Sequence, residues 1–187
     1  MTILFVPSLM APLGIALIWR YLLNTELGML NQLARVLGLA EQAWLTIPTS
    51  ALWTTVLINV WQFTPFVFLI LLAGIRALPV DPYQAARIDG ASSFQMFRFI
   101  TLPLLKPILM VAVVFRVTDG FRLFDLIWGL TAGGPGTSTF TMTLAVYRQA
   151  FFMYDLGYAS TIAVMLLIAI SVFAGVALKA LHSESVV

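Results

Sequence analysis

The chain has 187 residues, 61% hydrophobic and only 10% charged, with a formal net charge of +2 and a mean hydropathy of +0.99. Soluble domains run near half apolar and a quarter charged, so this composition belongs to a membrane protein. The small net charge, with no basic run interleaved with aromatics, argues against nucleic acid as a partner, and the absence of Cys excludes disulfides, thiolate metal sites and cysteine nucleophiles.

Four segments are long and apolar enough to cross about 30 Å of hydrocarbon at about 1.5 Å per residue, which predicts an all-α integral membrane fold with about four transmembrane helices. Residues 3–23 are the first, with Pro7, Pro12 and Gly14 as kinks of the kind neighbouring helices tolerate. No basic stretch precedes this run and no small-residue cleavage site follows it, so it reads as a membrane helix rather than a signal peptide. In the polar connection 24–50, Leu27, Leu30, Leu33 and Leu37 fall at helical spacing and Gly38 follows as a stop signal. That pattern fits a short amphipathic helix, either lying at the membrane interface or packed on the protein's own surface. Residues 51–74, carrying Pro65 and Gly74, are the second span.

The segment 78–106 is neither apolar enough to cross a membrane nor irregular enough to be a plain loop. Asp81 can cap a helix with Pro82 at its first position and Gln84 three residues on, and Gly90 supplies a left-handed stop. Ser92 with Gln95 repeats the capping box, and the second helix is expected to end at Pro103. The prediction is a compact helix-turn-helix outside the lipid. Residues 107–128 are the third span, TAGGPGTST (131–139) is a Gly/Pro/Thr loop without the Gly-Lys-Ser/Thr ending of a phosphate-binding loop, and 158–181 are the fourth span. Arg76, Arg87, Arg98, Lys106 and Lys179 lie on one side against Arg20, Arg35 and Arg148 on the other, which favours a cytoplasmic helix-turn-helix and C-terminus. Trp19, Trp44, Trp53, Trp128, Tyr21 and Tyr158 then fall near the external boundary.

Polar residues inside the spans are the candidates for chemistry. Arg116, Asp119, Arg122 and Asp125 stand three apart in the third span, where one charge at the bilayer centre costs about 3 kcal/mol on insertion scales unless paired or wet. Each three-residue step rotates about 60° short of a full turn. Arg116, Asp119, Gly120 and Leu123 therefore share one face. That face lines a water-accessible pathway, or else the charges are satisfied as ion pairs between helices. On the second span Asn59, Gln62, Phe63 and Phe66 share a face; amides beside aromatics suit a sugar, and equally a polar contact between helices. The single histidine, His182, sits in the tail, and no HExxH, GxSxG or paired-carboxylate arrangement appears, so no catalytic, metal or cofactor site is expected.

QAARIDGA (84–91) followed by Phe97, Ile100, Leu102-Pro103 and Pro107 resembles the EAA loop of binding-protein-dependent ABC importer permeases, whose pattern is roughly EAAxxDGA, a phenylalanine, then IxLPxLxP. GIALIWRYL (14–22), AGIRALPVDPY (73–83) and FDLIWGLTAGGPG (124–136) resemble the carbohydrate, maltose/glycerol-phosphate-type branch. The resemblance covers most of the chain from Leu13 to Ser160. Gln84 stands where the family carries glutamate, which turns any ion pair with an ATPase arginine into a neutral hydrogen bond. Family members carry about two further helices upstream, so the chain reads as an N-terminally short version or a fragment.

The resemblance implies a single permease domain over 1–187 in a bacterial or archaeal inner membrane. Its partners would be a separate ABC ATPase subunit, a second permease subunit forming a heterodimer, and an extracytoplasmic solute-binding protein that delivers a sugar or sugar-like solute. The ATPase would grip the loop at Gln84, Ala85, Ala86, Asp89, Gly90 and Ala91, with Phe94 and Phe97 anchoring the loop to its own helices. Asn59, Gln62, Phe66, Arg116, Asp119, Gly120 and Leu123 would line the pathway. The rival readings are a permease for other cargo, such as a phosphorylated polyol or a polyamine, and a membrane structural or assembly protein with no pathway.

Overall fold

A computed structural model describes the backbone of residues 2–184; the side chain of His182 lies outside the described residues. All regular structure among them is helical: α1 (Thr2–Leu9), α2 (Pro12–Leu22), α3 (Met29–Val36), α4 (Pro48–Arg76), α5 (Asp81–Ile88), α6 (Ser93–Met96), a π turn (Phe97–Thr101), α7 (Leu102–Phe121), α8 (Asp125–Leu130), α9 (Met142–Phe151) and α10 (Leu156–Glu184). Among the described residues three helices are long and apolar enough to cross a membrane: Pro48–Arg76, the continuous Ser93–Phe121, and Leu156–Ala177, with mean hydropathies of 2.0, 2.0 and 2.4. The chain divides into two compact units, one made of residues up to Pro65 together with Asp119–Ile170, the other of Phe66–Thr118 together with the end of α10 from Ser171.

In the first unit α2 packs on α8, and the core is Ile15, Ala16, Leu23, Ile58, Leu126 and Leu130. Gly129 makes that packing possible, because a Cβ there would lie 2.7 Å from the Ala16 Cβ and 3.0 Å from Leu13 Cδ1. Arg20 donates to the Gly129 carbonyl at 3.5 Å. The expected first span 3–23 is broken: Ala11, with φ −60° and ψ 132°, is extended and Pro12 opens α2. A residue before proline is disfavoured in the helical region, and here Ala11 leaves it, so the apolar run breaks into two helices.

The 24–47 connection is organised by a polar residue rather than by its leucines. Asn31, 1% exposed, donates to the carbonyls of Thr25 and Gln42 at 3.1 and 3.0 Å and accepts from Gln42 N and Trp44 Nε1 at 3.2 Å each. Those bonds turn Asn31 inward with Leu30, which packs against the core, and leave Leu27, Leu33 and Leu37 exposed. The leucine stripe is therefore not the packing face, because satisfying a buried amide outweighs burying one more leucine. Beyond it, Gly38 has a positive φ of 70° and Arg35 meets Glu41 at 2.6 Å. That hydrogen bond and the carboxylate charge hold the exposed guanidinium above its ordinary pKa.

In the second unit the later part of α4 meets α7 where Gly74 leaves room for the Ile108 and Leu105 side chains; a Cβ at Gly74 would lie 2.7 Å from Ile108 Cδ1. Two further expectations change here. Val80 is already helical (φ −83°, ψ −28°) and caps α5 in place of Asp81, with no side-chain capping bond at that position; the Val80 carbonyl receives Tyr83 N and Gln84 N. Pro103 does not end the second helix. The preceding π turn, in which Leu102 N reaches back to the Phe97 carbonyl, absorbs the proline, and the helix runs on to Phe121. The third expected span, 107–128, thus starts earlier and stops sooner, and Arg122, Leu123 and Asp125 lie beyond α7.

Replacing Gly129 with leucine should destabilise the chain by about 1–3 kcal/mol through overpacking at the α2–α8 contact, read as a lower denaturant midpoint in detergent micelles. Asn31→Ala should cost a similar amount, about 1–3 kcal/mol, by orphaning the groups it satisfies. It should also speed proteolytic nicking between residues 24 and 47, whereas Leu33→Ala should leave that rate unchanged.

Candidate functional site

The turn between α5 and α6 is built from local chemistry. Gly90, at φ 78°, lets Gly90 N reach the Arg87 carbonyl and Ala91 N the Ala86 carbonyl, at 3.2 and 2.9 Å, the double bond of a Schellman stop. Ser92 then opens the next helix with a complete capping box: its Oγ accepts from Gln95 N at 3.3 Å and its own N–H donates to Gln95 Oε1 at 2.7 Å. Both caps satisfy the backbone inside the turn, so the surface above it is left for something else. That surface holds a groove of about 340 Å³ lined by Ala86, Asp89, Gly90, Ala91, Gln95 and Met96, with Phe99 and Ile100 below. Gln84 and Ala85 are exposed beside it, and a side chain on Gly90 would meet nothing of this chain within 4 Å. Phe94 and Phe97, expected to anchor the loop to its own helices, are instead 69% and 53% exposed. Both rings face outward rather than into the helices they were expected to hold.

The polar face of α4 is split. Asn59 lines a cavity of about 280 Å³ in the first unit, together with Thr55, Leu123, Ser138, Thr139 and Thr141. Gln62 does not reach that cavity. It is 2% exposed, its main-chain carbonyl accepts from Ser8 Oγ at 2.7 Å, and its side-chain oxygen is buried without a hydrogen bond. Phe66 belongs to the second unit, where its ring lies 5.0 Å from that of Phe115.

The expected face Arg116–Asp119–Gly120–Leu123 is not continuous. Leu123 lies past the end of α7, where Arg122 N and Leu123 N close short turns onto the Asp119 and Gly120 carbonyls, so the seven-residue step no longer counts helical turns. Arg116 and Asp119 are half-buried on α7 and each engages a partner. Gly120 is exposed.

The structure adds the hydroxyls of the 131–143 segment to the site. Thr139 Oγ1 lies 2.7 Å from Thr131 Oγ1 and donates to the Gly134 carbonyl at 2.9 Å. Thr141 and Thr143 both donate to the Leu123 carbonyl, at 3.2 and 2.8 Å, while Ser138 Oγ is buried without a partner. The segment is a run of turns leading into α9, in which Ser138 N bonds the Pro135 carbonyl and Phe140 N the Thr137 carbonyl, and no fixed spacing of hydroxyls announced it. Of its residues Ser138, Thr139, Phe140 and Thr141 line the cavity with Asn59, Thr55 and apolar side chains, and no charged side chain is among them. Among the described residues no group of His, Asp and Glu is placed to hold a metal ion.

The geometry has relatives. The trehalose/maltose transport system permease protein MalF of Thermococcus litoralis is 42% identical over 161 residues, covering 86% of this chain and 54% of the relative. The sulfoquinovosyl glycerol transport system permease protein SmoG of Agrobacterium fabrum is 37% identical over 156 residues, covering 83% and 51%. The chain thus spans about half the length of the curated relatives it matches. It also shares the fold of a bacterial ABC transporter involved in the import of the acidic polysaccharide alginate, at TM-score 0.87 and 23% identity, over 97% of this chain and 64% of that one. The alginate transporter in complex with an alginate pentasaccharide-bound periplasmic protein matches at TM-score 0.83 and 24% identity, over 94% and 62%. Residues 1–183 match one family throughout, and the chain belongs to it: the binding-protein-dependent transport system inner membrane components.

Proposed function

We propose that the chain is a membrane-spanning permease subunit of an ATP-driven importer for a sugar or sugar-like solute, forming a single permease domain that supplies half of a translocation pathway. The observation that carries this reading is the doubly capped turn at 89–92, rigid in its own backbone bonds yet bordered by an open groove in which the small Ala86, Gly90 and Ala91 sit among Asp89, Gln95 and Met96. A surface whose backbone hydrogen bonds are already closed, with small residues at its centre and polar and apolar side chains around them, is suited to sit inside another protein's cleft. In this reading that protein is a separate ATPase, and Phe94 and Phe97 are contacts for it rather than internal anchors. Gln84 meets it as a neutral hydrogen-bonding group. The chain itself hydrolyses nothing. Closure of the ATPase dimer moves the turn and switches the pathway from inward-open to outward-open, and an extracytoplasmic binding protein then delivers the solute. A second, related permease completes the pathway, and the turn and the C-terminus face the cytoplasm.

The cavity beside Asn59, lined by no charged side chain, favours a neutral, hydroxylated cargo, in keeping with a relative named for trehalose/maltose transport. Arg116 and Asp119, half-buried on α7, and Gln62, whose buried amide oxygen is open, remain proposed pathway residues beside Phe66, Gly120 and Leu123. An anionic cargo is the second reading, favoured by Arg116; it requires Arg116→Ala to depress uptake more than Asn59→Ala.

Purified from its native membrane in mild detergent, the chain should bring down an ATPase and a second permease. Gly90→Glu should abolish that recovery while Gly90→Asn, which tolerates a positive φ, retains it; a chain that emerges alone in every case overturns the reading. With the importer in proteoliposomes, Asn59→Ala should raise KM for uptake of the ligand found on the co-purified binding protein about tenfold, as for the loss of one or two neutral hydrogen bonds, with basal ATP hydrolysis unchanged.

A further inference from the structure

The continuous helix Ser93–Phe121 is interrupted by one π turn, Phe97–Thr101. A π turn widens the helix by one residue and leaves carbonyls poorly placed for the next N–H, which is why such turns survive mainly where they serve a purpose. Here it accommodates Pro103, which lacks an N–H and would crowd the carbonyl of Phe99 in a regular helix. It also places Thr101 where its hydroxyl does two things: it donates to the Met96 carbonyl at 3.4 Å and accepts from the Tyr83 hydroxyl at 3.0 Å. Tyr83 is half-buried on α5, directly before Gln84.

The caps on either side of Gly90 set the conformation of the turn, but each bond in them spans only three to five residues. None closes the angle between α5 and the long helix. The Tyr83–Thr101 bond does, linking positions 18 apart in sequence, and so makes a braced triangle of α5, the turn and the start of the membrane helix. We infer that Tyr83 is a positioning residue: through Thr101 it braces the docking turn against the π turn, so that a push on α5 is delivered to the membrane helix instead of being lost in bending at 89–92. The functional half of this inference rests on the docking role proposed above; the mechanical half does not.

The chain has no native cysteine, so nitroxide labels can be placed at D81C and L104C, both exposed positions, in the complete importer with its other subunits made cysteine-free and reconstituted in lipid nanodiscs. Pulsed electron–electron distance measurement should give one narrow distribution. Tyr83→Phe and Thr101→Val should each raise the population outside that peak about fivefold, as expected for one lost hydrogen bond, and Thr101→Ser, which keeps the hydroxyl, should restore it. In the same samples Tyr83→Phe should leave basal ATP hydrolysis intact and reduce its stimulation by the liganded binding protein. Identical distributions in all variants overturn the brace. A broadened distribution with full stimulation overturns its role in coupling. If no ATPase accompanies the chain, the docking role fails, while the distance measurement on the chain alone still decides the brace.

Discussion

Hydrocarbon offers a backbone amide no partner, so every proline in a membrane helix raises the question of what becomes of the carbonyl it leaves open. This chain answers in different ways along its length. At Pro12 the helix gives up and restarts. At Pro103 it widens into a π turn, and the hydroxyl of Thr101 serves the Met96 carbonyl. Hydroxyls elsewhere in the long helices fold back in the same manner: Thr55 onto the Ala51 carbonyl at 2.8 Å, Thr64 onto Val60 at 2.6 Å and Thr161 onto Gly157 at 2.9 Å. Polar side chains satisfied by their own helix allow that helix to present apolar surface outward. The spans keep their hydropathy while carrying threonines at functional depth.

The same economy shapes the turn between α5 and α6. Its backbone groups are closed by caps at both ends, so what it exposes is side chains: Gln84, Arg87, Asp89 and Gln95 beside the phenyl rings of Phe94 and Phe97. An element of that kind can enter and leave a partner's cleft repeatedly without exchanging backbone hydrogen bonds at each step. The substitution of glutamine for the family's glutamate at position 84 fits this picture, since an exposed ion pair contributes little beyond a neutral bond in water-accessible surroundings.

In the first unit, polarity is concentrated where backbone direction changes. Asn31 ties together the connection after α2, and the threonines of 131–143 tie the loop after α8 to the Leu123 carbonyl. Both segments would otherwise carry unsatisfied groups next to an apolar core. The cavity beside Asn59 is lined by apolar side chains together with the hydroxyls of Thr55, Ser138, Thr139 and Thr141, and its lining includes no charged side chain. An ion placed there would meet no opposite charge to offset its desolvation.

The amino-acid sequence by itself determined most of what composition, linear pattern and short-range backbone chemistry decide, the start of α5 being the exception, where Val80 takes the cap from Asp81. The membrane class follows from composition, the stop at Gly90 from the need for a positive φ, the Ser92–Gln95 box from the reach of two side chains, and the family from the linear pattern 84–107. Tertiary structure decided what depends on a partner far away in sequence. Asn31, not the leucine stripe, chose the inward face of α3, because its partners at 25, 42 and 44 had to be met. Pro103 was overruled because a π turn and Thr101 could absorb it, and Leu123 left the α7 face because its carbonyl receives Thr141 and Thr143. Local signals are energies of one conformation against another for the same few residues. Which of them prevails is settled by non-local hydrogen bonds and packing that carry comparable free energy and leave no mark at any fixed spacing.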